Sequence, residues 1–218
     1  MAAFDFGEKV DPTLFERQLN AFYTIDSQRY IRQGWEMFRE NIGEFLGFTL
    51  ILFAVWVASS LFDGGSSLLF SAIAAALHAG YGIVAFRLAS GQRFQFNDFF
   101  RGFNYFLPLF LASLASSILV CIGFILLLVP GIYLAIGYMF TTFFVIDYRM
   151  EFWQAMETSR AIITRQWRSF FGFALLLFAL NLLGALALGV GLLVTIPVTS
   201  CAAAIAYKEI VGLYSSEW

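Results

Sequence analysis

Three long apolar stretches, each preceded by a short segment mixing charges with aromatic side chains, set out the plan of this chain. The middle stretch is the clearest. Asn97-Asp98-Phe99-Phe100-Arg101-Gly102-Phe103 reads as a short amphipathic helix, and about forty residues without a charge follow, from Asn104 to Ile146. One crossing of a hydrocarbon layer needs about 20 apolar residues, so this run predicts two spans joined by a turn. We call the amphipathic lead-in an elbow and the paired spans a hairpin.

The same unit recurs on either side. Asp26 is placed to cap a first elbow in which Tyr30, Ile31, Trp35 and Phe38 alternate with Arg29, Arg32, Glu36, Arg39 and Glu40. Its hairpin covers about 42–89, with spans Ile42–Phe62 and Ser67–Ala89 around Asp63-Gly64-Gly65-Ser66. Ser90-Gly91-Gln92-Arg93 leads into the second elbow, Phe94–Phe103, and a hairpin over 104–147. The third elbow, Glu151–Thr164, sets Phe152, Met156 and Ile163 against Glu157, Arg160 and Arg165, and precedes a hairpin over 169–213. Residues 1–24 form a separate charged segment. Asp11-Pro12 is a helix start there, and Leu14, Phe15, Leu19 and Phe22 share a face, predicting a short surface helix over 12–22. The expected fold is all-α, with six transmembrane helices over residues 25–218, arranged as three elbow-plus-hairpin repeats.

The second and third hairpins can be superposed on one another. Gly123 and Gly189 lie near the middle of their runs, and Pro130 and Pro197 follow shortly after. The third turn is expected at Gly189-Val190-Gly191, with Pro197 kinking the returning helix. For the second, two placements stand: near Gly123 with a kink at Pro130, or at Pro130-Gly131 itself. Gly80, Gly82, Gly184 and Gly189 allow close helix packing.

Composition makes the membrane assignment firm. Hydrophobic residues are 60% of the 218 and charged residues 13%, where a soluble domain carries about 25% charged. The charged N-terminus has no apolar core and is not a signal peptide. A net charge of −2 argues against nucleic acid. Cys121 and Cys201 lie in apolar runs and read as small packing residues. All 13 cations lie before the first span, between the hairpins, or near the ends of the second and last spans, where Arg87 and Lys208 fall. The positive-inside rule then puts both termini and every elbow in the cytoplasm of a bacterial inner membrane protein.

Candidate chemistry is sparse. His78, the one histidine, falls near the centre of the second span, where an ionisable group marks a functional site by default. It reads as a proton relay, a haem or metal ligand, a headgroup contact, or a neutral imidazole hydrogen-bonded within the bundle. With Pro130, Gly131 and Pro197, whose helix breaks open carbonyls, it outlines a possible intramembrane polar site. Arg29, Arg32, Trp35, Arg93, Arg101, Trp153, Arg160, Arg165, Trp167 and Arg168 are candidate contacts for lipid headgroups or a partner, or simple interfacial anchors. No G-x-S-x-G, Walker, EF-hand or H-E-x-x-H pattern occurs, and no ligand cluster suits a metal. The expectation is a protein that is not an enzyme and has no cofactor.

The blocks Asp98-Phe99-Phe100-Arg101-Gly102-Phe103, Leu128-Val129-Pro130-Gly131-Ile132 and Trp153-x-Ala155-x3-Ser159 resemble the YciC-like bacterial membrane proteins. They are also similar to the related membrane domain found beside some glycerophosphodiester phosphodiesterases. The resemblance implies a six-span inner-membrane protein; it does not imply hydrolase activity, since the chain has no metal-binding carboxylate cluster. The leading expectation is a structural or accessory subunit that binds membrane lipids and other integral membrane proteins. A transporter or flippase-like carrier of lipid or a hydrophobic solute is the alternative.

Overall fold

The computed structural model describes residues 7–16, 24–61, 66–187 and 189–214. Among these the regular structure is helical, apart from one isolated bridge between Glu8 and Met150. The helices are α1 (Ser27–Glu40), α2 (Ile42–Leu61), α3 (Ser66–Ala89), α4 (Phe106–Leu126), α5 (Leu128–Gly137), α6 (Thr141–Tyr148), α7 (Phe152–Arg165), α8 (Trp167–Leu186) and α9 (Leu192–Ile210). Two 3-10 segments, Pro12–Phe15 and Phe96–Tyr105, complete the list. Six helical runs among the described residues are long and apolar enough to cross a membrane: Ile42–Leu61, Phe70–Ala89, Phe96–Leu126, Leu128–Tyr148, Trp167–Leu186 and Leu192–Ile210. The chain is a polytopic membrane protein.

The spans form two layers. The second span of each hairpin is the inner one: over an apolar 18-residue stretch of each, 61%, 50% and 61% of the residues are buried, against 17%, 17% and 22% in the first spans. Lipid is as apolar as leucine, so burial against it gains nothing, and the inner layer must be held by close packing and internal hydrogen bonds. The composition follows suit. The face of α9 toward the protein is small (Cys201, Ala202, Ala203, Ala204, Ala206) around buried Tyr207, while α8 exposes Leu175, Phe178, Leu183 and Leu186.

The elbows fill the grooves between spans. Asp26 caps α1 as expected, its Oδ1 accepting the Arg29 amide at 3.0 Å. The buried face of α1, Tyr30-Gly34-Phe38 at four-residue spacing, packs against α9. A Cβ on Gly34 would lie 2.7 Å from the Val198 carbonyl oxygen and 3.0 Å from the Ala202 nitrogen, so the two backbones touch. Of the apolar face expected at the headgroup boundary, Tyr30 and Phe38 are therefore covered by protein, while Trp35 stays exposed. The second elbow lies along α3, where a Cβ on Gly102 or on Gly80 would collide with the Ala76 or the Phe99 carbonyl respectively, and its Phe99 stacks 4.3 Å from Phe48 of α2. The third, α7, lies along α5 and α6. Each elbow thus sits on the inner helix of the preceding hairpin, and the first sits on that of the last.

The second hairpin corrects both expected turns. The chain reverses at Leu127, which is extended (φ −163°, ψ 149°), between α4 and α5. Gly123 and Gly131 face each other across that turn, with a Cβ on Gly123 falling 2.9 Å from the Gly131 Cα. Pro130 is the third residue of α5, where its missing N–H breaks no helical bond, so it does not kink the helix. The break comes later, at Tyr138-Met139-Phe140 between α5 and α6. Buried Ser159 of α7 bridges it, donating to the Gly137 carbonyl at 2.7 Å and accepting the Phe140 amide at 3.1 Å. Ser159→Ala orphans both groups and should cost about 2–6 kcal/mol, at about 1–3 for each unmet buried group. A thermal unfolding midpoint in detergent equal to that of wild type would show that the bridge is not needed.

The third turn falls where expected: α8 and α9 are joined through Ala187–Gly191, with Gly189 at φ +76°. Pro197 lies inside α9 and is buried. Asp11 caps the Pro12–Phe15 turn by accepting the Thr13 amide at 2.9 Å, which holds its carboxyl below the usual carboxylate range. The N-terminal strap then docks on the third elbow. The Glu8 amide donates to the Arg149 carbonyl, the Glu151 amide donates to the Glu8 carbonyl, and Phe15 is buried edge-on to Phe144 and Tyr148. The surface helix expected beyond Glu16, the turn at Asp63-Gly64-Gly65 and the tail past Tyr214 lie outside the described residues.

Candidate functional site

Two cavities meet on His78. The larger, about 480 Å³, lies between α3, α4, α5 and α6. The smaller, about 250 Å³, lies between α3, α6, α8 and α9. His78 and Thr142 line both. Although its helix belongs to the inner layer, the imidazole stays accessible because both hollows open onto it. Its ring lies 6.3 Å from Tyr81, and no hydrogen bond to it is formed by a described residue.

Helical spacing builds the larger cavity. On α4, Leu109, Ala112, Ser113, Ser116, Ser117 and Val120 recur at three- and four-residue intervals, placing a hydroxyl stripe on the face turned toward α3. Tyr138, Thr141 and Thr142 share a face in the same way across the break in the fourth span. Small residues Ala74 and Ala75 beside His78 leave the space open. No charged side chain lines either hollow among the described residues.

The hydroxyls differ in what they offer. Ser116 Oγ donates to the Ala112 carbonyl at 2.5 Å and Ser117 Oγ to the Ser113 carbonyl at 2.7 Å, so both present lone pairs to a further partner. Thr141 is buried and its Oγ1 has no partner. In the smaller cavity, Asn181 Nδ2 donates to Thr199 Oγ1 at 3.1 Å, and the Asn181 carbonyl oxygen is unpaired. Among the described residues no cluster of His, Cys, Asp or Glu suits a metal ion.

The structure does not bring Pro130, Gly131 or Pro197 to this site. Pro130 and Gly131 belong to the tip of the second hairpin, and neither they nor Pro197 line a cavity with His78. The fold uses the hydroxyl stripe and Thr141-Thr142 instead, and the regular spacing of Ser113, Ser116 and Ser117 in an apolar run was the signal for it.

Three elbow cations, Arg29, Arg101 and Arg160, pair with carboxylates while staying partly exposed. Asp98, 3% exposed, pairs with Arg87 Nη1 at 2.6 Å and Arg101 Nε at 2.7 Å, and accepts the Gln95 amide at 2.8 Å. Arg29 pairs with Glu209 at the end of α9, and burial beside that carboxylate raises the Tyr30 phenol above its ordinary pKa. Arg160 pairs with Glu157 at 2.5 Å, which pushes the guanidinium pKa up further. Arg32, Arg93, Arg165 and Arg168 are exposed, as are Trp35 and Trp153, whereas Trp167 packs 5.0 Å from Tyr133.

No family model, no curated protein and no solved structure matches the chain.

Proposed function

We propose that this six-span protein is a carrier, or binding protein, for a membrane-partitioning amphiphile, received in the hollow around His78. The observation that carries this reading is an open hydroxyl-lined cavity without charge at the heart of an otherwise apolar bundle. Buried polar groups in such a bundle pair with one another unless a ligand completes them. A volume of about 480 Å³ falls within the range of about 300–1,000 Å³ typical of small-molecule sites. Among the described residues no charged side chain lines the hollow to couple transport to an ion gradient, which favours facilitated exchange with the lipid phase.

The three elbow-plus-hairpin units are read here as an internal repeat closed into a ring, since the first elbow occupies on α9 the place that the second occupies on α3. Kinship with the YciC-like family is part of the same proposal. A scaffold role rests on exposed apolar faces that lipid covers equally well, and comes second.

Ser113→Trp tests the reading. The bulky ring should fill the cavity, leave the folded protein in place, and strip co-purifying amphiphiles seen by native mass spectrometry after gentle extraction. Identical bound species in wild type and variant would sink the cavity assignment. Orientation is tested separately: a cysteine at Val190 should react with an impermeant maleimide from outside whole cells, and one at Arg93 only after lysis. The reverse pattern would overturn the cytoplasmic placement of the elbows.

A further inference from the structure

We infer that the larger cavity receives the free-hydroxyl head of a neutral lipid, of the mono- or diacylglycerol class. This inference rests on the carrier reading above and names its ligand. Three observations narrow the class. The lining carries neither a cation nor a carboxylate, so a buried phosphate or ammonium would have no counter-charge, and taking a bare ion out of water costs several kcal/mol. Phospholipid heads are thereby disfavoured.

Ser116 and Ser117 have already committed their hydrogens to the carbonyls of Ala112 and Ser113. What they present to the cavity is acceptor lone pairs, and a ligand must donate to satisfy them. An ester, ketone or quinone head accepts only, whereas an alcohol donates and accepts at one atom. His78 supplies the third observation. Its side chain is exposed and lines the same cavity. The neutral imidazole carries one donor and one acceptor, so a single hydroxyl that both donates and accepts can serve it together with a serine of the stripe.

The test uses the full-length protein in detergent with three probes: dioleoylglycerol, methyl oleate and dioleoyl phosphatidate. Native mass spectrometry and a competition assay rank their affinities. Dioleoylglycerol should bind best, by at least about tenfold, roughly the worth of one or two net hydrogen bonds. His78→Leu should weaken it about three- to tenfold while leaving the unfolding midpoint unchanged or raised, since a polar ring is removed from an apolar span. Should His78→Leu fail to fold, Ser116→Ala, which removes an acceptor from an outer helix, takes its place with the same expectation. Equal binding of methyl oleate, or tighter binding of phosphatidate, overturns the hydroxyl-head assignment and leaves the carrier reading standing. Absence of binding by all three overturns the carrier reading, and this inference with it.

Discussion

Asp98→Ala is expected to remove about 3–5 kcal/mol of stability, the usual cost of breaking a buried ion pair by deleting one partner. Asp98 is a hub. Its carboxylate holds Arg87 of α3 at 2.6 Å and Arg101 of its own elbow at 2.7 Å, and accepts the Gln95 amide that opens the 3-10 segment. Alanine leaves Arg87, whose side chain is 16% exposed and whose Nε already lacks a partner, with an uncompensated charge. The unfolding midpoint in detergent should fall steeply. The paired change Arg87→Met with Asp98→Leu should recover most of the loss, because it removes both charges and keeps the volume. A double variant as unstable as Asp98→Ala alone would show that the capping bond to Gln95, not the ion pair, is what holds the elbow.

Much of the architecture was legible in the sequence, because the features that set it are local. Six apolar runs, the caps Asp11 and Asp26, and the third turn at Gly189 need only a few neighbouring residues to be read. The second turn was not legible. Leu127 carries no turn signal, and the two features that looked like one, Gly123 and Pro130, flank it: glycine lets the helices meet there, and proline sits harmlessly in the first turn of α5. The break at Tyr138-Met139-Phe140 was hidden for a different reason. Its backbone is satisfied by Ser159, about twenty residues away on the next elbow, and nothing at the break itself marks it.

The elbow cations show the same limit. Arg29 and Arg101 read as free interfacial charges until Glu209 and Asp98 are seen beside them, and Glu209 lies 180 residues from Arg29. The site was half legible. His78 stood out by type and depth. The hydroxyl stripe on α4 was present in the spacing, but its use depends on α3 and α6 facing it across a void, which no local pattern announces.

Gly102→Leu is expected to be the more damaging change, with little folded protein recovered. A Cβ at Gly102 collides with the Ala76 carbonyl and comes within 3.3 Å of the Ala79 Cβ. The obstacle is backbone of an inner helix, which cannot move without unseating α3, so the cost should exceed the 1–3 kcal/mol of ordinary overpacking and reach the rare 4–5 kcal/mol class. Gly172→Leu is the matched control, since a Cβ there meets nothing within 4 Å. In the second turn of α8 it should leave stability unchanged or raise it by up to about 1 kcal/mol through helix propensity. The contrast isolates the cause: both variants add one leucine to a membrane protein, and only one drives it between an elbow and a span. A Gly102→Leu protein that elutes as a monodisperse peak with a wild-type midpoint would mean that the second elbow does not seat on α3, and the ring of elbows in grooves would fall with it.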